Sequence, residues 1–202
     1  QTSAEIVCTL ATESGRYDRA EAFAGIFMAM LFLLGANWIA SLSWNAEGSF
    51  ETPTYLHPGW QILSLALGFA VGNVLASYWH PVRRLFTSQK EMEEETERAA
   101  AFVFSANGLT RTAGRGGLLL YASLYERRVV VLADEGIMEL YGEEFIAKLR
   151  DAALDQLREG RCAAAFAEAI RTAAEELEQK LPVAPDDVNE LPDRVLVYHP
   201  RP

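Results

Sequence analysis

Two long stretches without a charged residue constrain the fold of this chain more than any other feature. They cover residues 22–44 and 59–79, and neither contains Asp, Glu, Lys or Arg. A helix of about 20 apolar residues crosses the hydrocarbon core of a bilayer, and Trp favours the two interfaces, where Trp44, Trp60 and Trp79 stand here. The sequence therefore predicts a transmembrane hairpin. The alternative is a pair of core helices in a soluble protein, which seldom have charge-free runs of this length.

The charges around the hairpin predict its orientation. Lys and Arg favour the cytoplasmic side of a membrane, whereas acidic residues have little influence. Basic residues stand before the first stretch and after the second, and the connecting loop, residues 45–58, has none. These flanking residues are Arg16, Arg19, Arg83, Arg84 and Lys90. We therefore predict a multi-pass protein of the inner (cytoplasmic) membrane, with the remaining domain and both termini in the cytoplasm and the loop outside.

The composition argues against several classes of function. The net charge is −10, whereas a nucleic-acid-binding protein needs a basic groove, so no nucleic acid is expected as a partner. Cys8 and Cys162 fit no metal or redox spacing. The three histidines, His57, His80 and His199, do not converge in the predicted domain, which disfavours a catalytic triad or a zinc site. A non-catalytic role is therefore expected more than an enzymatic one.

Three short segments have the pattern of strands. Residues 3–12 alternate between apolar and polar side chains, and residues 117–125 and 128–133 are apolar, β-rich runs separated by a Glu126-Arg127 turn. A single strand is not stable, so residues 4–10 are expected to pair with residues 117–125 in one sheet. The hairpin is then an insertion in an α/β domain, in which helices flank a small central sheet.

Three helices are predicted after the hairpin. The first covers residues 88–107, the second covers residues 143–160 and the third, which is rich in alanine, ends near Lys180. The predicted organisation is a first strand in residues 1–15, the hairpin in residues 20–80, the rest of the domain in residues 81–181 and a Pro-rich acidic tail in residues 182–202. The tail either adds an edge strand near residues 195–198 or stays mobile.

This order of elements resembles the TPM domain. The resemblance is carried by TSAEIV at residues 2–7, RTAGRGGLLLYASLYERRVVVLADEGI at residues 111–137 and DDVNELPD at residues 186–193. It points to the bacterial membrane-anchored branch of the family, in which a transmembrane hairpin interrupts the domain. The resemblance implies a compact α/β sandwich. Relatives include thylakoid-lumen proteins similar to acid phosphatases and tied to photosystem II assembly or repair, and several relatives bind divalent cations near a crevice of the sheet.

Asp134 and Glu135 are the best candidates for a metal site, because they directly follow a predicted strand. With Glu13, at the end of the first strand, they would supply oxygen ligands to Ca²⁺ or Mg²⁺. The alternative is that Asp134 caps the following helix and Glu135 complements its dipole.

Two basic segments have other candidate roles. Arg111 and Arg115, in a glycine-rich loop, could bind a phosphate, or the loop is an ordinary turn with solvated arginines. Arg127 or Arg128 is expected to face lipid headgroups or to pair with the acidic helix.

Small residues in the second span indicate a helix-packing face. Gly68 and Gly72, continued by Ala76, let another helix approach closely, and that helix belongs either to a partner or to the first span. An anchor of this kind predicts an accessory or assembly subunit of a larger integral membrane protein complex, embedded in the lipid bilayer, with a photosynthetic complex as one candidate. The alternative is a divalent-metal-dependent phosphatase at the cytoplasmic face.

Overall fold

The computed structural model describes residues 2–44, 56–112, 114–183, 190–191 and 194–202. It divides into two compact units. The first, here called the α/β unit, comprises Gln1–Gly15 and Lys90–Pro202, and the second, called the hairpin unit, comprises Arg16–Gln89.

The α/β unit is built on a four-stranded sheet. Its strands are β1 (Glu5–Ala11), β2 (Gly117–Ser123), β3 (Arg128–Ala133) and β4 (Leu196–Tyr198), and their order in the sheet is β3-β2-β1-β4. β1 runs parallel to β2 and to β4, whereas β3 is antiparallel to β2. The predicted pairing of the first strand with the second is confirmed, with Ile6 opposite Leu118 and Leu10 opposite Ala122.

Both faces of the sheet are covered by helices, which explains why β2 has a continuous apolar sequence. On one face, Leu118 and Leu120 of β2 pack with α5 (Glu135–Arg158) and α6 (Cys162–Lys180). On the other face, Leu119 and Tyr121 pack with α4 (Gln89–Ala106) and a 3₁₀ turn (Leu109–Arg111). Alternate side chains of a strand point to opposite faces, so a strand between two helical layers needs apolar residues throughout.

The helix boundaries follow local signals. Gly108, at φ 78°, ends α4 in the left-handed region that glycine adopts without steric cost. α5 begins earlier than the apolar periodicity predicts, because two helical segments are joined across a kink at Gly142, where φ is 70°. In the tail, β4 takes the edge-strand alternative, and residues 184–189 and 192–193 lie outside the described residues.

The hairpin unit contains α1 (Asp18–Trp44), α2 (Pro58–Tyr78) and a short α3 (His80–Leu85). α1 and α2 are long and apolar enough to cross a membrane. The predicted external loop, residues 45–58, lies mostly outside the described residues, which resume at residue 56.

Candidate functional site

Asp134 lies at the amino edge of the parallel strands rather than at their carboxyl edge. Because β3 is antiparallel to β2, its last residue is next to the first residue of β2, and the Asp134 N–H donates to the Gly117 carbonyl at 2.8 Å. The Asp134 carboxylate accepts the Glu135 N–H through Oδ1 at 2.9 Å. Asp134 is therefore the N-cap of α5, as the capping alternative predicts.

Arg115 is brought beside this helix start. Its Nη1 donates to Glu135 Oε2 at 2.8 Å, and its backbone has a φ of 50°. The loop is held locally, because the Gly116 N–H donates to the Thr112 hydroxyl at 3.1 Å. Arg111 ends the 3₁₀ turn with an exposed side chain. The structure thus joins Arg115 to Glu135 in a solvent-exposed ion pair, an interaction that contributes little to stability.

Glu13 lies at the opposite edge of the sheet from Asp134. It follows the carboxyl end of β1, where its N–H donates to the Pro200 carbonyl at 3.0 Å and its Oε1 lies 3.6 Å from Arg201 Nη1. The paired strands β1 and β2 are seven residues long, which separates the two edges by about 20 Å. The expectation that Glu13 joins Asp134 and Glu135 is therefore wrong, since their strands end at different edges.

The predicted metal ligands do not fit a divalent cation as a set. Ca²⁺ takes about 6–8 oxygen ligands, and Mg²⁺ takes near-octahedral coordination. Asp134 Oδ2 is buried without a hydrogen-bond partner among the described residues, but Glu135 is engaged by Arg115 and Glu13 is at the other edge. Within the described ranges, no group of three or more His, Cys, Asp or Glu side chains could hold a metal ion.

A buried polar network occupies the carboxyl edge of β1 and β2. Glu126, only 2% exposed, accepts the Ser14 N–H through Oε1 at 2.9 Å and the Ser123 hydroxyl through Oε2. The Ser14 and Tyr121 hydroxyls are 2.9 Å apart. The pKa of Tyr121 is raised to about 12, chiefly by burial and also by the Glu126 charge, while the hydrogen bond with Ser14 acts in the opposite direction. The network ties the end of β1 to the turn between β2 and β3.

Sequence reasoning assigned Glu126 only to the turn and missed this network. The available signal was a Glu-Ser pair after β1 and a serine three residues before Glu126, which places hydrogen-bonding groups at the ends of two strands expected to pair. A carboxylate between apolar strands is rarely buried without such partners.

The small-residue face of α2 packs on α1 of the same hairpin. A Cβ at Gly68 would lie 2.7 Å from Ala29 Cα, and one at Gly72 would lie 2.5 Å from the Ala24 carbonyl oxygen. Ala76, one turn further, is fully buried. Gly68, Gly72 and Ala76 therefore let the two helices of the hairpin approach closely.

A comparison with protein families matches the middle of the chain. The family model described as "TPM domain" matches residues 80–176. The chain carries a TPM domain. The matched segment includes α4, β2, β3, α5 and nearly all of α6, and the structure adds β1 and β4 to the sheet.

A search of solved structures found a structure that is similar to part of this chain. It is the NMR structure of BA42 protein from the psychrophilic bacterium Bizionia argentinensis sp. nov.. The identity is 24% and the TM-score is 0.48, over 51% of this chain and 71% of the other. No curated protein is significantly similar to the chain.

Proposed function

We propose that the protein is a membrane-anchored accessory or assembly subunit of a larger integral membrane protein complex, without catalytic activity of its own. The observation that carries this proposal is the exposed apolar surface of α1 and α2. In an apolar 18-residue stretch of each helix, only 17% of the residues are buried, whereas a core helix of a soluble protein is mostly buried. Large outward side chains include Leu34, Trp38, Ile39 and Ile62, each more than 60% exposed.

The position of β1 supports a permanent anchor rather than a cleaved signal sequence. β1 precedes α1 in the chain and lies between β2 and β4 in the sheet. Cleavage after α1 would remove an interior strand from the sheet and leave the backbone groups of its neighbours unpaired. A hairpin that keeps both of its ends on one side of the membrane is compatible with this pairing. The flanking basic residues favour the cytoplasmic side for those ends.

The outward faces of the hairpin are the proposed contact with the partner. The small-residue face is already used between α1 and α2, so a partner helix would pack on the large apolar side chains instead. The resemblance to relatives tied to photosystem II suggests a photosynthetic or respiratory membrane complex as the partner.

Affinity isolation of the tagged chain in a mild detergent tests the proposal. We expect a stoichiometric integral membrane protein to copurify with the wild-type chain. A doubly substituted chain, Leu34→Trp and Ile62→Trp, should stay in the membrane and lose that partner, because bulky rings on the outward faces obstruct helix packing. Gly35→Ala, at a position where an added Cβ meets no atom within 4 Å, is the control. A free monomer without any stoichiometric partner would contradict the proposal.

A metal-dependent phosphohydrolase is the second candidate. It is favoured by one observation: Asp134 Oδ2 is buried without a hydrogen-bond partner among the residues that the structure describes, at the helix start that also holds the Glu135–Arg115 pair. Hydrolysis of a generic phosphate ester should be compared for the wild type and Asp134→Asn, with and without Mg²⁺ or Ca²⁺. Asn keeps the helix cap but removes the carboxylate charge. Equal background rates exclude this candidate, and a metal-dependent rate lost in the variant supports it.

A further inference from the structure

A cavity of about 600 Å³ opens at the carboxyl edge of β2, wholly within the α/β unit. Its walls come from the end of β2, the turn into β3, the last turns of α5 and the start of α6. Leu154 and Leu157 of α5 contribute apolar surface. Ligand sites in open α/β sheets favour this edge, at the carboxyl ends of the parallel strands.

Three arginines line the cavity, in a chain whose net charge is −10. Arg128 pairs with Glu93 of α4 at 3.2 Å, which is the predicted contact with the acidic helix. Arg158 pairs with Asp155 at 3.1 Å, but both side chains are 73% exposed, so the pair holds the guanidinium weakly. Arg127 forms no ion pair with any residue in the described part of the chain. The guanidinium groups of Arg127 and Arg158 are therefore available to bind an anion.

The backbone around the cavity favours an anion as well. Arg127 has a φ of 55°, so an arginine occupies a left-handed turn position that glycine or asparagine would adopt at lower cost. α6 begins at the cavity wall with Cys162, and its N-cap, Arg161, makes no side-chain capping bond. The N-cap side chain therefore does not satisfy the first amides of α6, which lie at the positive end of the helix dipole.

We propose that this cavity binds a phosphate monoester that carries an apolar chain. Arg127 and Arg158 hold the phosphate, since guanidinium groups bind its oxygens in pairs, and the chain lies against Leu154 and Leu157. The volume lies within the range of small-molecule sites and greatly exceeds the size of inorganic phosphate. The ligand is either a soluble phosphate ester or the headgroup of a phosphatidate-like lipid. This inference does not rest on the proposed accessory role, because the cavity is formed by the α/β unit alone.

Cys162 provides a reporter of occupancy at the cavity wall. Its side chain is partly exposed, whereas Cys8 is buried, and burial raises the pKa of the Cys8 thiol to about 12. A neutral maleimide should therefore alkylate Cys162 in the folded full-length chain and spare Cys8. The chain is placed in phosphatidylcholine nanodiscs, and the alkylation rate is measured with hexyl phosphate, hexanol or inorganic phosphate.

We expect hexyl phosphate to slow alkylation of Cys162 by about fivefold or more at saturation, with weaker effects of hexanol and inorganic phosphate. Arg127→Gln and Arg158→Gln should each raise the concentration needed for half-protection by about tenfold, because a charge-assisted contact is lost. Arg150→Gln is the control matched to Arg158→Gln, since both arginines are on α5 and pair with an aspartate of that helix, but Arg150 does not line the cavity. Each rate is compared with the ligand-free rate of the same variant.

Nanodiscs that contain phosphatidate distinguish the two sources of ligand. β1 ends at the edge that holds the cavity, and α1 begins seven positions after Ala11, at Asp18. If the ligand is a lipid headgroup, phosphatidate in the bilayer protects Cys162 of the wild type without any added hexyl phosphate. The same nanodiscs fail to protect Cys162 in Arg127→Gln. If the ligand is soluble, only added hexyl phosphate protects. The proposal is overturned if neither phosphatidate nor hexyl phosphate protects Cys162, or if inorganic phosphate protects it as strongly as hexyl phosphate does. It is also overturned if Arg127→Gln and Arg150→Gln need the same concentration of hexyl phosphate for half-protection.

Discussion

At the scale of single residues, Gly117 shows how close backbone approach limits the sequence. A Cβ on Gly117 would lie 2.3 Å from the carbonyl oxygen of Leu109 in the 3₁₀ turn that covers the start of β2. At Gly114, three residues earlier, an added Cβ meets no atom of the described residues within 4 Å, its chain neighbours aside. Packing therefore requires a glycine at position 117 but not at position 114.

We predict that Gly117→Ala lowers the free energy of unfolding by about 1–3 kcal/mol, because the strand or the turn must move to relieve the contact. Gly114→Ala should change it by much less. The measurement is a urea titration of the full-length chain in detergent, followed by alkylation of buried Cys8 in a Cys162→Ala background. Similar shifts for both variants would show that the turn does not pack on Gly117 as described.

Cys8 makes stability depend on pH. Burial raises its pKa from 9.0 to about 12, so the protonated thiol is favoured in the folded state. The corresponding stability is present in full below pH 9 and is lost as the pH rises towards 12. Unfolding by urea at pH 8 and pH 10.5 should show a loss of stability that is smaller in Cys8→Ala. Some loss should remain, because the pKa of Tyr121 is raised as well. A pH dependence identical in the wild type and Cys8→Ala would contradict this assignment.

Residue roles were predictable from the sequence where the cause is local. The cap at Asp134 follows from its position before a helix, and it is present. The burial of Glu126 and the separation of Glu13 from Asp134 depend on strand direction and on partners distant in the sequence, Ser14 above all. A local pattern does not contain that information.

At the scale of elements, the length of the charge-free runs predicted the two long apolar helices, and local sequence patterns predicted α4, α6 and three of the four described strands. The periodicity does not predict Glu135–Arg158 as one element, because the non-helical backbone of Gly142 divides it into two helical segments. α3, which begins at His80, is too short to show a period. The sequence predicts β4, at the edge of the sheet, only as one of two alternatives, because a strand of three residues is too short to show alternation.

The α1–α2 contact provides a prediction at this scale. Gly72→Ala should separate the helices and lower the stability of the hairpin by about 1–3 kcal/mol, because the added methyl group meets the α1 backbone. Gly35→Ala adds the same group in open space and should have little effect. Tryptophan fluorescence during denaturation by an ionic detergent reports the change, since all four tryptophans lie between residues 38 and 79. Equal stability of the two variants would mean that α1 and α2 do not pack through Gly72.

At the scale of the whole molecule, the pairing of β1 with β2 is the feature that links the sequence pattern to the proposed anchor. The two strands are neighbours in the sheet although 105 residues separate Ala11 from Gly117 in the chain. If α1 and α2 cross a membrane, they must do so as a hairpin, because both ends return to one sheet. The α/β unit is then on one side, and the residues between α1 and α2 are on the other.

Cysteine labelling of closed membrane vesicles tests this arrangement most directly. Native Cys162 reports the α/β unit, and Ser49→Cys in a Cys162→Ser background reports the segment between α1 and α2. The account predicts that a membrane-impermeant maleimide labels only position 49 in right-side-out vesicles and only Cys162 in inverted vesicles. Detergent should make both positions reactive in either preparation. Labelling of both positions from the same side of intact vesicles, or release of the chain from the membrane by alkaline carbonate, would contradict the transmembrane hairpin.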